Sequence, residues 1–208
     1  MLEIVLGTRN AKKRRELELL LNPYPVQLRT LDEFPHSIEV AETGDSFHAN
    51  AALKATQQAV LLNRWVLGED SGLSVLALDG QPGIYSARFS GEGATDQSNN
   101  ALLLEKLQGL SRERRRAFYT CHMTLSDPQG NQRINTVGIC HGFIREFPSG
   151  QGGFGYDPLF ELPEYHLTFA ELGDGVKSVL SHRARAARQF VRQLVPLIDQ
   201  LTATQTSK

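Results

Sequence analysis

The sequence has few cysteines and no long apolar run, and both absences exclude classes of protein. Cys121 and Cys140 are the only cysteines among 208 residues, which are too few for a secreted disulfide scaffold, so we expect two reduced, buried thiols. The longest apolar runs, such as residues 59–62, are far shorter than the roughly 20 residues that cross a bilayer. Glu3 interrupts any signal-peptide pattern. We therefore expect a cytoplasmic protein with no membrane partner.

The sequence also lacks an excess of either charge. Lysine and arginine number 22 and aspartate and glutamate 23, which gives a net charge of −1. Non-specific nucleic-acid binding depends on a broad positive field, so we expect no nucleic-acid partner. The basic run at residues 112–116 is typical of a solvated turn, although a nucleic-acid patch there is a rival interpretation. The dipeptides Cys121-His122 and Cys140-His141 resemble metal ligands, but neighbours on a strand face opposite sides, which disfavours zinc.

Hydrophobic residues make up 40% of the chain and charged residues 22%, which is ordinary for a globular protein. The length and the alternation of apolar segments predict one α/β domain of two lobes over residues 1–200, followed by a polar tail at 201–208. A mixed sheet is expected because strands and helices alternate early and a hairpin comes later. Strands are predicted at 2–6, 65–67, 73–78, 117–126 and 133–147, and helices at about 11–22, 47–63, 96–107 and 178–201.

The first candidate site is the start of the first helix. Residues 12–15 are all basic, and cations in a first turn oppose the helix dipole unless an anion is bound there. Thr8, Asn10, Lys13 and free backbone amides would converge on phosphate oxygens. The alternative is that Asn10 is a helix N-cap and that the basic side chains are solvated.

The second candidate site combines carboxylates with a lysine. Glu69 and Asp70 are predicted to end an apolar strand, where open α/β sheets bind ligands, and Mg²⁺ is usually held by one or two carboxylates and phosphate oxygens. Lys54, on a helix face shared with Asn50, is a second candidate for phosphate contact. A polar turn at residues 70–72 is the alternative interpretation.

A glycine-rich loop at residues 150–155 satisfies the G-x-G-x-x-G pattern. The dinucleotide-binding interpretation is rejected because that motif must open a helix, and Pro158 follows too soon. Phe154 and Tyr156 instead offer rings for a nucleobase, with Asp157 at a polar edge, and core packing of both rings is the alternative. Further along, Lys177, His182 and Arg183 place several donors near a helix start, where a capped helix is an equally simple explanation.

The order and spacing of these motifs resemble the inosine triphosphate pyrophosphatase family over nearly the whole chain. The matching segments are Thr8-x-Asn10-x-x-Lys13, Glu42-Thr43-Gly44, Asn50-Ala51-x-x-Lys54-Ala55, Asp70-Ser71-Gly72-Leu73, Pro82-Gly83-Ile84-Tyr85-Ser86-Ala87-Arg88, Gly152-Gly153-Phe154-Gly155-Tyr156-Asp157-Pro158, Lys177-Ser178 and Ser181-His182-Arg183. The resemblance implies an elongated mixed sheet with helices that form two lobes around a central substrate cleft. It also implies a homodimer and Mg²⁺-dependent hydrolysis of noncanonical purine nucleoside triphosphates (ITP, dITP, XTP) to the monophosphate and pyrophosphate.

The resemblance also implies roles for individual residues. Thr8, Asn10, Lys13 and Lys54 would hold the triphosphate, with Ser71 beside it. Glu42, Asp70 and Glu69 would serve the metal, and Asp70 would be the general base. Phe154 would stack on the purine, with Gly155 in the same loop, while Tyr156, Asp157, Lys177, His182 and Arg183 would surround the edge of the base.

Three features depart from the family pattern. Glu69 stands where many members have aspartate, Arg9 occupies a position often held by a small residue, and Gly173-Asp174-Gly175 replaces a more acidic stretch before Lys177. A module that binds nucleotide without catalysis is a rival interpretation, which an assay of pyrophosphate release would separate from the enzyme.

Overall fold

The computed structural model describes the backbone of residues 1–206 and the side chains of residues 1–203. The strands are β1 (Leu2–Leu6), β2 (Val26–Thr30), β3 (Trp65–Val75), β4 (Arg116–Ser126), β5 (Gln132–Ile144), β6 (Phe160–Leu162) and β7 (Leu167–Thr168). The α-helices are α1 (Ala11–Leu21), α2 (Phe47–Leu62), α3 (Asp96–Lys106), α4 (Phe169–Leu180) and α5 (His182–Thr206).

The strands form a mixed sheet, which confirms the predicted fold class. Its order is β2-β1-β3-β4-β5-β6-β7. Strand β1 pairs in parallel with β2 and β3, whereas β6 pairs antiparallel with β5 and β7. Parallel strands need a crossover, and helices α1 and α2 lie in the chain between β1, β2 and β3. The early alternation of strand and helix therefore encodes the parallel part.

The chain divides into two compact units. Unit 1 comprises residues 1–70, 121–138 and the chain from 183 onward, and unit 2 comprises 71–120 and 139–182. In unit 1, strands β1, β3 and β4 pack with one face of α5. That face carries Ala186, Ala187, Phe190, Val191, Leu194 and Leu197, whose spacing of three and four residues places them on one side of a helix.

Unit 2 has its own apolar core. Leu73 and Leu103 are fully buried in it, and four aromatic side chains are buried beside them, namely Tyr119, Tyr156, Phe160 and Phe169. The rings of Phe160 and Phe169 stack at 5.5 Å between centroids, and Tyr119 lies 4.7 Å from Phe160. Each unit thus has an apolar core of its own.

Strand β3 differs from the sequence prediction. We expected one strand to end near Asp70 and another to begin at Leu73, but a single strand runs from Trp65 to Val75. Val66 to Asp70 are all buried. If the strand ended there, their backbone N–H and C=O groups would lose their sheet hydrogen bonds and have no water to replace them. Glu69 and Asp70 therefore lie inside a strand rather than at its end.

The C-terminal helix also differs from the prediction. Residues 169–180 form α4, in which Gly173 has non-helical angles, and Ser181 adopts an extended conformation before α5 begins. Helix α5 continues to Thr206, past the predicted start of the tail at 201, and residues 207–208 of that tail lie outside the described residues. Within the described chain, no helix is both long and apolar enough to span a membrane.

Candidate functional site

The start of α1 is organised by Asn10 in unit 1. Its side chain accepts hydrogen bonds from the backbone N–H groups of Lys12 and Lys13, at 3.0 and 3.1 Å. Thr8 Oγ1 accepts from Asn10 N at 3.2 Å. The first turn contains no acidic residue, so the helix dipole and the basic side chains both favour an anion. Asn10 is thus an N-cap, and the cap orders a cationic helix start.

Helix α2 lies directly against β3 because residue 68 is glycine. A Cβ on Gly68 would lie 2.2 Å from the carbonyl oxygen of Ala51 and 2.7 Å from Ala55 N. No other residue permits so close an approach of two backbones without displacement. The contact brings Lys54, which precedes Ala55 in α2, beside Asp70 in β3.

Lys54 joins two carboxylates at one point. Its Nζ lies 2.9 Å from Asp70 Oδ1 and 2.9 Å from Glu42 Oε1, and it donates to the backbone oxygen of Glu69 at 3.3 Å. Asp70 and Lys54 are largely buried, at 6% and 13% side-chain exposure, whereas Glu42 is partly exposed, at 32%. Three residues from separate parts of the chain therefore form one compact charged cluster.

Asn50 completes this cluster, and the sequence prediction did not assign it a role. Its Nδ2 donates to Asp70 Oδ2 at 3.4 Å, and its Oδ1 accepts from Gly44 N at 2.8 Å. Asn50 is fully buried, so this amide ties the loop that carries Glu42 to Asp70. The i, i+4 spacing of Asn50 and Lys54 was the signal that could have identified it.

The surroundings raise the pKa of both charged groups in the Lys54–Asp70 pair. Burial raises the pKa of Asp70 more than the nearby Lys54 and Lys13 lower it. For Lys54, burial lowers the pKa, but the charges of Asp70 and Glu42 outweigh that effect and raise it. Asp70 is accordingly a stronger proton acceptor than an exposed aspartate.

The two carboxylates around Lys54 fit a magnesium ion in number and in chemical type. Glu42 and Asp70 contribute carboxylates that converge on one small volume, and Mg²⁺ takes one or two such ligands with substrate phosphate oxygens. Nowhere in the described residues do three His, Cys, Asp or Glu side chains form a cage for a metal. The site thus suits a cation that arrives with phosphate.

Glu69 belongs to a different cluster, although it precedes Asp70. Adjacent strand residues face opposite sides of a sheet. Glu69 Oε2 lies 2.9 Å from Lys13 Nζ, while Oε1 accepts from Arg183 Nη2 at 2.9 Å and from the Cys121 thiol at 3.3 Å. Arg183 also pairs with Glu16. The role of Glu69 in metal binding stays a prediction. Its carboxylate is contacted in this structure by Lys13, Arg183 and Cys121.

In unit 2, Asp157 and Lys177 form a buried ion pair beside an aromatic ring. Lys177 Nζ lies 2.6 Å from Asp157 Oδ2 and 4.3 Å from the centroid of the Phe154 ring. Phe154 N donates to the same Asp157 oxygen at 2.8 Å. Gly153 is required here, because it has φ +71° and its Cβ would lie 2.1 Å from Asp157 Oδ2.

The rest of the glycine loop is held by α3. Asp96 accepts from Gly155 N at 2.9 Å, and Asn100 donates to the Gly155 carbonyl at 3.0 Å. Neither residue was identified from the sequence, since nothing in the spacing links them to the loop. Tyr156 donates from its hydroxyl to the Ser86 carbonyl at 2.9 Å and is buried in the unit 2 core.

His182 is also buried in unit 2, where its ring stacks on Tyr119 at 4.5 Å. Ser71 follows Asp70 in β3 and is partly buried. The predicted residues therefore fall into two groups: Thr8, Asn10, Lys13, Glu42, Lys54, Glu69, Asp70 and Arg183 in unit 1, and Ser71, Phe154, Gly155, Tyr156, Asp157, Lys177 and His182 in unit 2. Arg183, expected at the edge of the base, forms ion pairs with Glu16 and Glu69 in unit 1.

Two arginines of the basic run at 112–116 contact other residues of unit 2. Arg112 pairs with Glu161 at 2.6 Å. Arg115 is 4% exposed and donates to the carbonyl oxygens of Leu107 and Arg145. These two side chains therefore help to hold unit 2 together, whereas Arg114 and Arg116 are exposed.

Comparison with known proteins finds relatives that match almost the full chain. A dITP/XTP pyrophosphatase of Rhodopirellula baltica is 53% identical over 199 residues, which are 96% of this chain and 96% of that protein. A dITP/XTP pyrophosphatase of Exiguobacterium is 44% identical over 95% of this chain and 99% of its own length.

Solved structures agree with the sequence relatives. A HAM1 protein from Coxiella burnetii superposes with a TM-score of 0.86 at 34% identity, covering 94% of this chain and all of its own. A nucleoside-triphosphatase, dITP/XTP pyrophosphatase, from Mycobacterium abscessus has a TM-score of 0.74 at 39% identity and covers 89% of this chain and 96% of its own. The model of the Ham1 family matches residues 4–193, and the chain therefore belongs to the Ham1 family.

Proposed function

We propose that this protein hydrolyses noncanonical purine nucleoside triphosphates, namely ITP, dITP and XTP, to the nucleoside monophosphate and pyrophosphate. The observation that carries the proposal is the buried cluster of Asp70, Lys54, Glu42 and Asn50 beside a cationic helix start. Relatives named dITP/XTP pyrophosphatase at up to 53% identity support the same activity.

The phosphate chain would bind to unit 1. The α1 start offers backbone N–H groups, the Thr8 hydroxyl and the Lys13 ammonium, and Lys54 offers a second ammonium. These donors neutralise phosphate charge and align the α-phosphate for attack by water. Ser71 would lie beside the phosphates.

Magnesium is the cofactor we propose, and Glu42 and Asp70 would hold it together with phosphate oxygens. When bound, it supplies charge neutralisation on the phosphates. Asp70 would accept the proton of the attacking water, since its carboxylate lies in the cluster that would hold the metal and the phosphates. Lys54 and Asn50 hold the Asp70 carboxylate in place. Pyrophosphate leaves as the bond to the α-phosphorus breaks.

The purine would be recognised in unit 2. Phe154 would stack on the base, and Lys177 would donate to the 6-oxo group that inosine and xanthine carry and adenine lacks. Asp157 orients Lys177 and the loop backbone at Phe154. Tyr156, His182 and Gly155 shape the surroundings, whereas the contacts of Arg183 favour a role in unit 1. A homodimer and a cytoplasmic location also remain predictions.

The decisive experiment measures pyrophosphate release from XTP, ITP, GTP and ATP with Mg²⁺. We expect XTP and ITP to be the preferred substrates. Replacement of the proposed base, Asp70→Asn, should reduce kcat by about 100-fold or more while binding of XTP stays measurable. Binding without release in the wild type would instead identify a nucleotide-binding module, and near-normal kcat in Asp70→Asn would exclude Asp70 as the base.

A further inference from the structure

Four charged residues of unit 1 form a line of alternating sign. The order is Glu16, Arg183, Glu69 and Lys13. The two middle side chains are almost inaccessible, at 1% for Arg183 and 0% for Glu69, whereas the ends reach solvent, at 22% for Glu16 and 17% for Lys13. Only an end of this line can therefore meet a ligand.

Both ends of the line belong to α1. Lys13 and Glu16 are three residues apart, so they lie on one face of the helix. Glu69 is in β3, and Arg183 lies near the start of α5. Glu69 in β3 and Arg183 in α5 thus each form an ion pair with α1. Two such contacts from two other elements fix both the position and the rotation of the helix.

Cationic and thiol side chains contact both oxygens of the Glu69 carboxylate. Oε2 faces Lys13 at 2.9 Å, while Oε1 accepts from Arg183 Nη2 at 2.9 Å, from Arg183 Nε at 3.3 Å and from Cys121 Sγ at 3.3 Å. Burial raises the pKa of Cys121, which keeps the thiol protonated and able to donate. Metal ligation through Oε2 would displace the Lys13 ammonium, and ligation through Oε1 would break its hydrogen bonds with Arg183 and Cys121.

We propose that Glu69 and Arg183 are positioning residues that hold the Lys13 ammonium ready for the phosphates, and that Glu69 is not a metal ligand. The proposal rests on the proposed function of Lys13 as a phosphate contact. A lysine side chain has a long flexible stem, and holding its ammonium before the ligand arrives reduces the ordering cost of binding. Arg183 acts one step further away, because it holds Glu69.

A double-mutant cycle tests this chain of action. The probe is inorganic pyrophosphate with Mg²⁺, and its dissociation constant is measured by calorimetry. We expect Lys13→Met and Glu69→Gln each to weaken binding by about tenfold. If Glu69 acts through Lys13, the double variant should be within about twofold of Lys13→Met alone. Independent effects would multiply to about 100-fold and would overturn the proposal.

Two further variants sharpen the result. Arg183→Lys keeps the buried charge but loses the paired donors, and should also weaken pyrophosphate binding, again without adding to Lys13→Met. The matched control is Leu19→Ala, also in α1, which truncates an exposed, uncharged side chain and should change binding by less than about twofold. Equal losses in Leu19→Ala and Glu69→Gln would mean a general effect on α1 and would overturn the proposal.

Two further measurements test whether Glu69 ligates Mg²⁺. The Mg²⁺ concentration at half-maximal rate should be unchanged within about twofold in Glu69→Gln, whereas a ligand's loss would raise it at least tenfold. If Glu69→Gln does not fold, a crystal structure of the wild type with Mg²⁺ and pyrophosphate decides. Mg²⁺ within about 2.1 Å of Glu69 would overturn the proposal, and Lys13 bonded to both Glu69 and a phosphate oxygen would support it. Failure of the proposed function is separate, since it appears as wild-type protein that releases no pyrophosphate from XTP.

Discussion

At the scale of single residues, the buried Lys177–Asp157 ion pair is the group that we propose discriminates between purine bases. Both side chains are nearly inaccessible, at 5% and 3% exposure, and their charged atoms lie 2.6 Å apart. A donor in such surroundings discriminates strongly, because a ligand that fails to accept its hydrogen bond leaves it unsatisfied. The same lysine on an open surface would have water as an alternative partner.

Lys177→Met should therefore lower kcat/KM for XTP by about 5- to 150-fold, because one buried donor to the 6-oxo group is lost. The ratio of XTP to ATP should fall with it, since ATP presents no 6-oxo group. The ratio is the better measurement, because the variant leaves Asp157 as a buried charge without its lysine and a fraction of the molecules will unfold. Both substrates are turned over by the same folded fraction, so that fraction cancels in the XTP to ATP ratio.

Lys106→Met is the matched control for this prediction. Its ammonium also lies over a phenylalanine ring of unit 2, 6.0 Å from the centroid of Phe89, but the residue is exposed at the end of α3. The XTP to ATP ratio should be unchanged there. An unchanged ratio in Lys177→Met itself would remove this lysine from base recognition.

At the scale of elements, the contact between α2 and β3 decides whether Lys54 can meet Asp70. Gly68→Ala would place a methyl group 2.2 Å from the Ala51 carbonyl, and neither backbone can rotate away as a side chain would. We expect a loss of about 1–3 kcal/mol in the free energy of unfolding. A reduced kcat should accompany it, as α2 moves and carries Lys54 with it.

Urea denaturation and pyrophosphate release measure the two effects. Gly175→Ala in α4 is the control, because a Cβ there meets no atom within 4 Å and alanine favours a helix. That variant should be at least as stable as the wild type and equally active. Wild-type stability in Gly68→Ala would show that the close approach is not required.

At the scale of the whole molecule, three strands belong to both units. Strands β3, β4 and β5 each begin in one unit and continue in the other, so neither unit is a continuous stretch of chain. Loss of either core would remove the packing that orders half of each shared strand. We therefore expect both units to unfold in one transition, although many chains above about 150 residues show intermediates.

The single tryptophan makes this prediction measurable. Trp65 packs partly buried against the core of unit 1 and reports on that unit, whereas far-ultraviolet circular dichroism follows the helices of both. The two urea midpoints should coincide. A variant with Trp65→Phe and Phe89→Trp moves the reporter to the core of unit 2 and should give the same midpoint. Separate midpoints for the two reporters would contradict the prediction.

Much of this protein could be predicted from local sequence, because its signals are short in range. The Asn10 cap, the early helices, the mixed sheet and the charged residue types all follow from spacing within a few residues. The resemblance in motif order was enough to identify the family. Patterns of charged and apolar residues could be interpreted without knowing which distant residues they contact.

The tertiary structure alone decided which charges meet. Glu16, Glu69 and Arg183 are separated by more than 50 residues at each step, and no local period relates them. The sequence placed Glu69 at a strand's end, whereas the folded chain places it inside β3, paired with Lys13 and Arg183. Burial makes an unmatched charge so costly that each ion must find a counter-charge, and only the folded chain determines which one lies within reach.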